Sequence, residues 1–120
     1  MSKVSIFDST LRDGVQGNGF SFSLEDKLAA IRILDRLGVE VIEAGNPVSN
    51  PKDQEFFRLV GDLRLEHARL AAFGSTRHKD LPPEKDPGLA ALVRAETPVV
   101  TVFGKCWRFH VDRSEERRVG

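Results

Sequence analysis

The sequence predicts an α/β protein: the N-terminal part, about half, of a (β/α)8 TIM barrel with parallel strands and helical crossovers. Three observations carry that reading. Short β-prone runs alternate with segments of helical period in the order β-α-β-α-β-α-β, an order that calls for parallel strands joined by right-handed crossovers. The glycines after the first strand, Gly14, Gly17 and Gly19, lead into a polar and aromatic stretch instead of opening a helix, which disfavours the phosphate loop of a doubly wound sheet. A whole barrel takes about 250 residues, so the 120 residues here hold roughly half of one.

The elements follow in order. Val4 to Phe7 is a short β-prone run ending on Asp8, and the glycine-rich stretch from Asp8 to Ser23 fits neither period, so a strand and a long loop are expected. Ser23 with Asp26 resembles a capping box; Leu24, Leu28, Ile31, Leu34 and Leu37 then recur at helical spacing as far as Gly38, a C-terminal cap. Val39 to Ala44 reads as the second strand. Two proline-bearing breaks at Pro47 and Pro51 precede a second helix over about 52–65. Arg69 to Phe73 is the third strand, the polar stretch His78 to Pro87 leads to a short helix over 88–95, and Pro98 to Phe103 is the fourth strand.

Composition narrows the function. Eighteen basic residues balance eighteen acidic ones, so nothing electrostatic points to nucleic acid or to an anionic membrane surface. No apolar run approaches the roughly 20 residues of a membrane span, and the N-terminus lacks signal-peptide anatomy. Cys106 is the single cysteine, which excludes an intrachain disulfide and a thiolate zinc cluster. A cytoplasmic protein acting on small molecules is expected.

Arg12 and Asp13 lie just past the first strand, with Gln16 three residues on, in a loop too glycine-rich to serve packing. A carboxylate there can bind a hard divalent cation, and a guanidinium beside it can hold a carboxylate or stabilise an enolate oxygen. Taken alone the pair reads equally as a surface ion pair of little consequence. Glu43, near the end of the second strand, needs a partner if buried, and Arg12 or a metal-bound water would serve; Glu40 reads as solvated. The small Ala44 and Gly45 beside it would leave room for a ligand. Thr76 and Arg77 end the third strand and Lys105 the fourth, so cationic groups recur at strand ends, as an anionic substrate would require or as a solvated rim would show. His67, His78 and His110 are scattered and form no ligand pair. Phe20, Phe22, Phe56, Phe57, Phe73 and Trp107 read as core and helix-sheet packing.

The run Asp8-Ser9-Thr10-Leu11-Arg12-Asp13-Gly14-Val15-Gln16 resembles the Asp-Ser/Thr-Thr-Leu-Arg-Asp-Gly-x-Gln signature of the DRE-TIM metallolyase superfamily. That superfamily holds 2-isopropylmalate, homocitrate and citramalate synthases and the hydroxymethylglutaryl-CoA lyases. The runs 22–28, 41–45, 49–53, 72–77 and 97–105 look like its citramalate synthase branch. The resemblance implies a barrel acyltransferase that condenses acetyl-CoA, as co-substrate, with a 2-oxo acid, here pyruvate, to give citramalate on a route to isoleucine. It implies that Arg12 polarises the keto oxygen and that Asp13 ligates a divalent metal, Mg2+ or Mn2+ with Zn2+ as the alternative. Gln16 and Glu43 would line the same substrate pocket, Glu43 ordering Arg12 or a metal-bound water, with Thr76 and Arg77 at its floor or rim. The implied full-length protein is a cytoplasmic homodimer.

The resemblance also marks what these residues lack. The family completes its metal site with a His-x-His pair on a later strand and supplies a catalytic glutamate later still. The chain alone is therefore expected to bind metal weakly and not to turn over. Lys105-Cys106-Trp107-Arg108 carries a base where the branch usually has an acid, and Asn46 stands where an aromatic residue is common. Arg113 to Gly120 resembles no segment of the family and looks like translated read-through of a sequencing adapter. Residues 1–112 are thus expected to be the half-barrel and 113–120 a non-native tail, the other reading being a charged, solvated tail. Competing functions are 2-isopropylmalate or homocitrate synthase, the lyase direction, and a non-catalytic half-barrel or binding module. Two uncovered sheet edges should leave a lone chain marginal, oligomeric or prone to aggregate.

Overall fold

The computed structural model describes residues 3–16, 22–61, 63–109 and 111–113. Four parallel strands, β1 (Phe7–Asp8), β2 (Val41–Gly45), β3 (Arg69–Ser75) and β4 (Val99–Phe103), form one sheet in the order β1-β2-β3-β4. Helices α1 (Leu24–Arg36), α2 (Pro51–Leu59) and α3 (Pro87–Arg94) connect them. A strand order that never reverses is the winding of a barrel; a doubly wound sheet would reverse at its switch point. Among the described residues no helix is long and apolar enough to cross a membrane.

Several boundaries move from their expected places for physical reasons. β1 pairs only through Phe7 and Asp8, although the Ile6 carbonyl still accepts from the Glu40 and Val41 amides at 3.1 and 3.3 Å. As an edge strand it has a neighbour on one side, and Val4 and Ile6 stay exposed. α2 ends at Leu59, not near 65, because Val60 caps it and the Leu63 amide turns back to the Val60 carbonyl at 2.9 Å. Leu63 and Leu65 still pack against the core, from irregular chain instead of a helix.

The caps form as read from sequence. Ser23 accepts from the Asp26 amide at 3.1 Å while the Asp26 carboxylate accepts from the Ser23 amide at 3.3 Å. At the other end of α1, Gly38 at φ +88° lets its amide reach the Asp35 carbonyl and the Val39 amide reach the Leu34 carbonyl, the two bonds of a Schellman motif. The buried line of α1 departs from the expected leucine stripe. Ile31 is fully buried, but its buried companions on that helix are Lys27 and Asp35, whereas Leu24 and Leu37 are exposed.

Both charges are partnered. Lys27 Nζ lies 2.9 Å from Asp53 Oδ1 and 4.2 Å from the centre of the Phe56 ring. Burial pulls the Lys27 ammonium below its usual value, and Asp53 offsets part of that. Asp35 accepts from the amides of Glu66, His67 and Ala68 at 2.9, 2.7 and 2.7 Å, fixing the entry to β3.

The core is the layer between sheet and helices, built from Leu11, Ile31, Ile42, Ala44, Phe56, Phe57, Ala72 and Leu92 among others. Phe56 and Phe57 meet edge to face, 5.2 Å between centroids. Phe22 and Trp107 are exposed, contrary to the packing role expected of them, and Phe20 lies outside the described residues. On β4, at the other edge of the sheet, the apolar side chains of Val100, Val102 and Phe103 remain open to solvent, as Val4, Ile6 and Phe7 do at the β1 edge.

Candidate active site at the strand ends

The loop after β1 is shaped by its own polar groups. Asp8 accepts from the Thr10 amide and hydroxyl, both at 3.0 Å, an Asx turn. The amides of Arg12 and Asp13 then converge on the Ser9 carbonyl at 3.2 and 2.8 Å. Leu11, 2% exposed, drops into the core and pins the loop. Arg12 and Asp13 are thereby presented beyond the strand end.

Arg12 is held on two sides. Its Nε donates to Oε1 of Glu43, which is itself 1% exposed, and its guanidinium lies over the Phe73 ring with Cζ 3.9 Å from the centroid. Arg12, one of the two partners foreseen for Glu43, pairs with it. Nη1 stands 3.7 Å from Asp13 Oδ1, and among the described residues no hydrogen bond occupies the Nη groups. β2 carries an irregularity here: Glu43 pairs with Ala71 and Gly45 with Ala72, so Ala44 is an extra residue. Such a bulge re-aims the neighbouring side chain.

The space beside Gly45 proves to be taken. A Cβ at this residue, which has φ +155°, would come within 2.6 Å of the Asp53 carboxylate. Asp53 in turn accepts from the Asn46 amide at 2.9 Å and pairs with Lys27, tying the end of β2 to α1. Asn46 earns its place through its own side chain, which accepts from the Val48 and Ser49 amides at 2.9 and 3.2 Å.

The other expected residues are placed less tightly. Gln16 closes the 3-10 turn Gly14–Gln16, and its side chain lies outside the described residues. Thr76 is exposed and continues the sheet by donating its amide to the Phe103 carbonyl at 3.0 Å. Arg77 is exposed and its guanidinium donates to the Leu81 carbonyl at 2.6 Å, within its own loop. Asp86 anchors that loop. It accepts from the His78, Gly88 and Leu89 amides, and the His78 bond in particular, opposed by burial, holds its carboxyl below the usual range. Glu40, expected to be solvated, keeps 33% of its side chain exposed while it accepts from Ser5 Oγ at 2.7 Å and lies 3.6 Å from Lys3. His67 and His78 are exposed, and His110 is outside the described residues. A recess of about 500 Å3 opens apart from the Arg12 pair, between the first turns of α1 and α2, lined by Leu11, Phe22, Leu24, Lys27, Asp53 and Phe56.

For a divalent cation, Asp13 offers a hard oxygen on an exposed side chain. Among the described residues no three His, Cys, Asp or Glu side chains stand together as a metal site. One exposed carboxylate is a single hard-oxygen donor.

A family model described as HMGL-like matches residues 3–117. The chain belongs to the HMGL-like family. Its curated relatives include (R)-citramalate synthase of Aquifex aeolicus, 50% identical over 91% of this chain, and that of Geobacter sulfurreducens, 49% identical over 92%. 2-Isopropylmalate synthase of Halothermothrix orenii is 40% identical over 86%. The chain spans about a fifth of the length of these relatives, 21%, 21% and 19%. The crystal structure of the Bacillus subtilis HMG-CoA lyase superposes on it with a TM-score of 0.65 at 22% identity, over 92% of this chain and 36% of that one. The HMGL-like chain therefore has the fold of the N-terminal half of a (β/α)8 barrel.

Sequence reasoning did not foresee Phe73 beneath Arg12, or Asp8 and Asp53 as the groups that shape the neighbouring loops. Asp8 had a signal, since an Asp two residues before a Thr at a strand end is a turn former. The ring under Arg12 had none, because the two residues lie sixty-one positions apart in the chain.

Proposed function

We propose that this chain is the N-terminal part of an acyltransferase that joins acetyl-CoA to pyruvate, giving citramalate and free CoA. The observation that carries the reading is Arg12, held by Glu43 and Phe73, with Nη1 beside the Asp13 carboxylate and no hydrogen bond on its Nη groups among the described residues. The names of the relatives that match nearly all of the chain support the same chemistry. Condensation forms a bond between the α-carbon of the acetyl thioester and the keto carbon, and the keto oxygen becomes an alkoxide. Nη donors beside that oxygen stabilise charge that develops only in the transition state. Asp13 would supply one ligand to a divalent metal, which when bound draws charge from the 2-oxo acid. Loss of a proton from the acetyl group and hydrolysis of the thioester need groups that these residues do not place at the site.

A 2-isopropylmalate synthase is the second reading, supported by the Halothermothrix orenii relative; it differs in the side chain of the 2-oxo acid. The same proposal assigns residues 1–112 to the catalytic barrel of a cytoplasmic homodimer. Fusing those residues in frame to the remainder of the Aquifex aeolicus synthase tests it. The fusion should release CoA from acetyl-CoA only with a 2-oxo acid present, and Arg12→Gln should slow the release about 10²–10³-fold. A folded fusion that releases no CoA, or an Arg12→Gln fusion with unchanged rate, would overturn the assignment.

A further inference from the structure

We infer that Phe73 is a positioning residue for Arg12, its ring fixing the plane of the guanidinium that Glu43 holds at one point. A single Nε hydrogen bond to Glu43 leaves the flat guanidinium free to tilt about that bond. The Phe73 ring, with Arg12 Cζ 3.9 Å from its centroid, opposes that tilt, because the attraction of a cation to a π face weakens as the cation moves off it. The fold delivers the ring by alternation along β3. Ala72 belongs to the core layer, and Gly74 lies so close to Leu92 that a Cβ would come within 2.8 Å of it. Phe73 between them projects to the opposite face, where Arg12 lies. Phe103 on β4 backs the ring, 6.4 Å between centroids and inclined by 34°.

Three successive strands thus contribute to one guanidinium: Glu43 from β2, Phe73 from β3, and Phe103 from β4 through Phe73. The consequence for chemistry rests on the proposed role of Arg12 toward a 2-oxo acid, which requires its Nη donors to stay aimed at the substrate oxygen. The positioning itself does not depend on that role.

Nuclear magnetic resonance of the 120-residue chain tests it. In the unaltered chain, nuclear Overhauser contacts are expected between the Phe73 ring and the Arg12 Hδ and Hε protons, and those protons should be displaced upfield by the ring. Phe73→Tyr should keep both signatures. Phe73→Leu, which keeps apolar bulk without a π face, should lose the displacement while Ala72 and Leu92 resonances stay in place. Absence of the contacts in an unaltered chain whose Ala72 and Leu92 resonances are dispersed as in a folded protein would overturn the inference, as would an Arg12 signal indifferent to Phe73→Leu. The fusion to the remainder of the Aquifex aeolicus synthase separates the two layers. A ring contact that is present in the chain while Arg12→Gln leaves CoA release by the fusion unchanged supports the positioning and counts against the substrate reading.

Discussion

Replacing Arg12 with leucine is expected to lower the stability of the chain by about 3–5 kcal/mol, the usual cost of leaving a buried charge without its partner. The stranded group is the Glu43 carboxylate, whose side chain is 1% exposed, whereas Arg12 is 20% exposed. That difference sets the order of the variants. Glu43→Leu should cost less, because the guanidinium it releases already reaches water and keeps Asp13 nearby at 3.7 Å. The double replacement should cost less than Arg12→Leu alone, since removing both charges also removes their desolvation. Urea denaturation of the four chains measures all three differences. An Arg12→Leu chain within about 1 kcal/mol of the parent, the range of an exposed ion pair, would show that the contact is an ordinary surface pair.

Asp35→Ala is expected to cost about 3 kcal/mol, because three backbone donors at the entry to β3 lose a charged acceptor together. The effect carries a pH signature. Burial alone would raise the Asp35 carboxyl, but the amides of Glu66, Ala68 and His67, with the charge of His67, outweigh it and hold the group below its ordinary 3.8. A carboxyl depressed in the folded state gives its full stabilisation above the unfolded value and loses it as pH falls through the folded one. The stability gap between parent and Asp35→Ala should therefore be wide at neutral pH and narrow below pH 3.8. A gap independent of pH would mean that Asp35 acts through packing instead of charge.

The parts of this fold that were legible in the sequence are those set by neighbours in the chain. Ser23 with Asp26, Gly38 as a cap, and the alternation of strands and helices are local patterns, and all three appear in the structure. The ends of β1 and α2 were not legible, because they depend on which partner strand is present and on where the chain must turn toward β3. Lys27 and Asp35 broke the helical pattern as buried charges, since their partners Asp53 and the 66–68 amides come from other elements. The room inferred beside Gly45 failed for the same reason: Asp53 fills it from α2. Arg12 and Glu43 could be proposed as partners from their strand-end positions. Phe73 could not, because nothing in the sequence orders a ring beneath a guanidinium.

We propose that Arg12 and Asp13 begin a metal and 2-oxo acid site at the end of β1. Titration of Mn2+ into the isotope-labelled chain, read as paramagnetic broadening residue by residue, tests it most directly. Broadening should centre on Asp13 and Arg12, deepen when pyruvate is added, require high metal concentrations for want of further ligands, and vanish in Asp13→Asn. Broadening centred on other carboxylates, with Asp13 untouched at any concentration of metal or pyruvate, would contradict it.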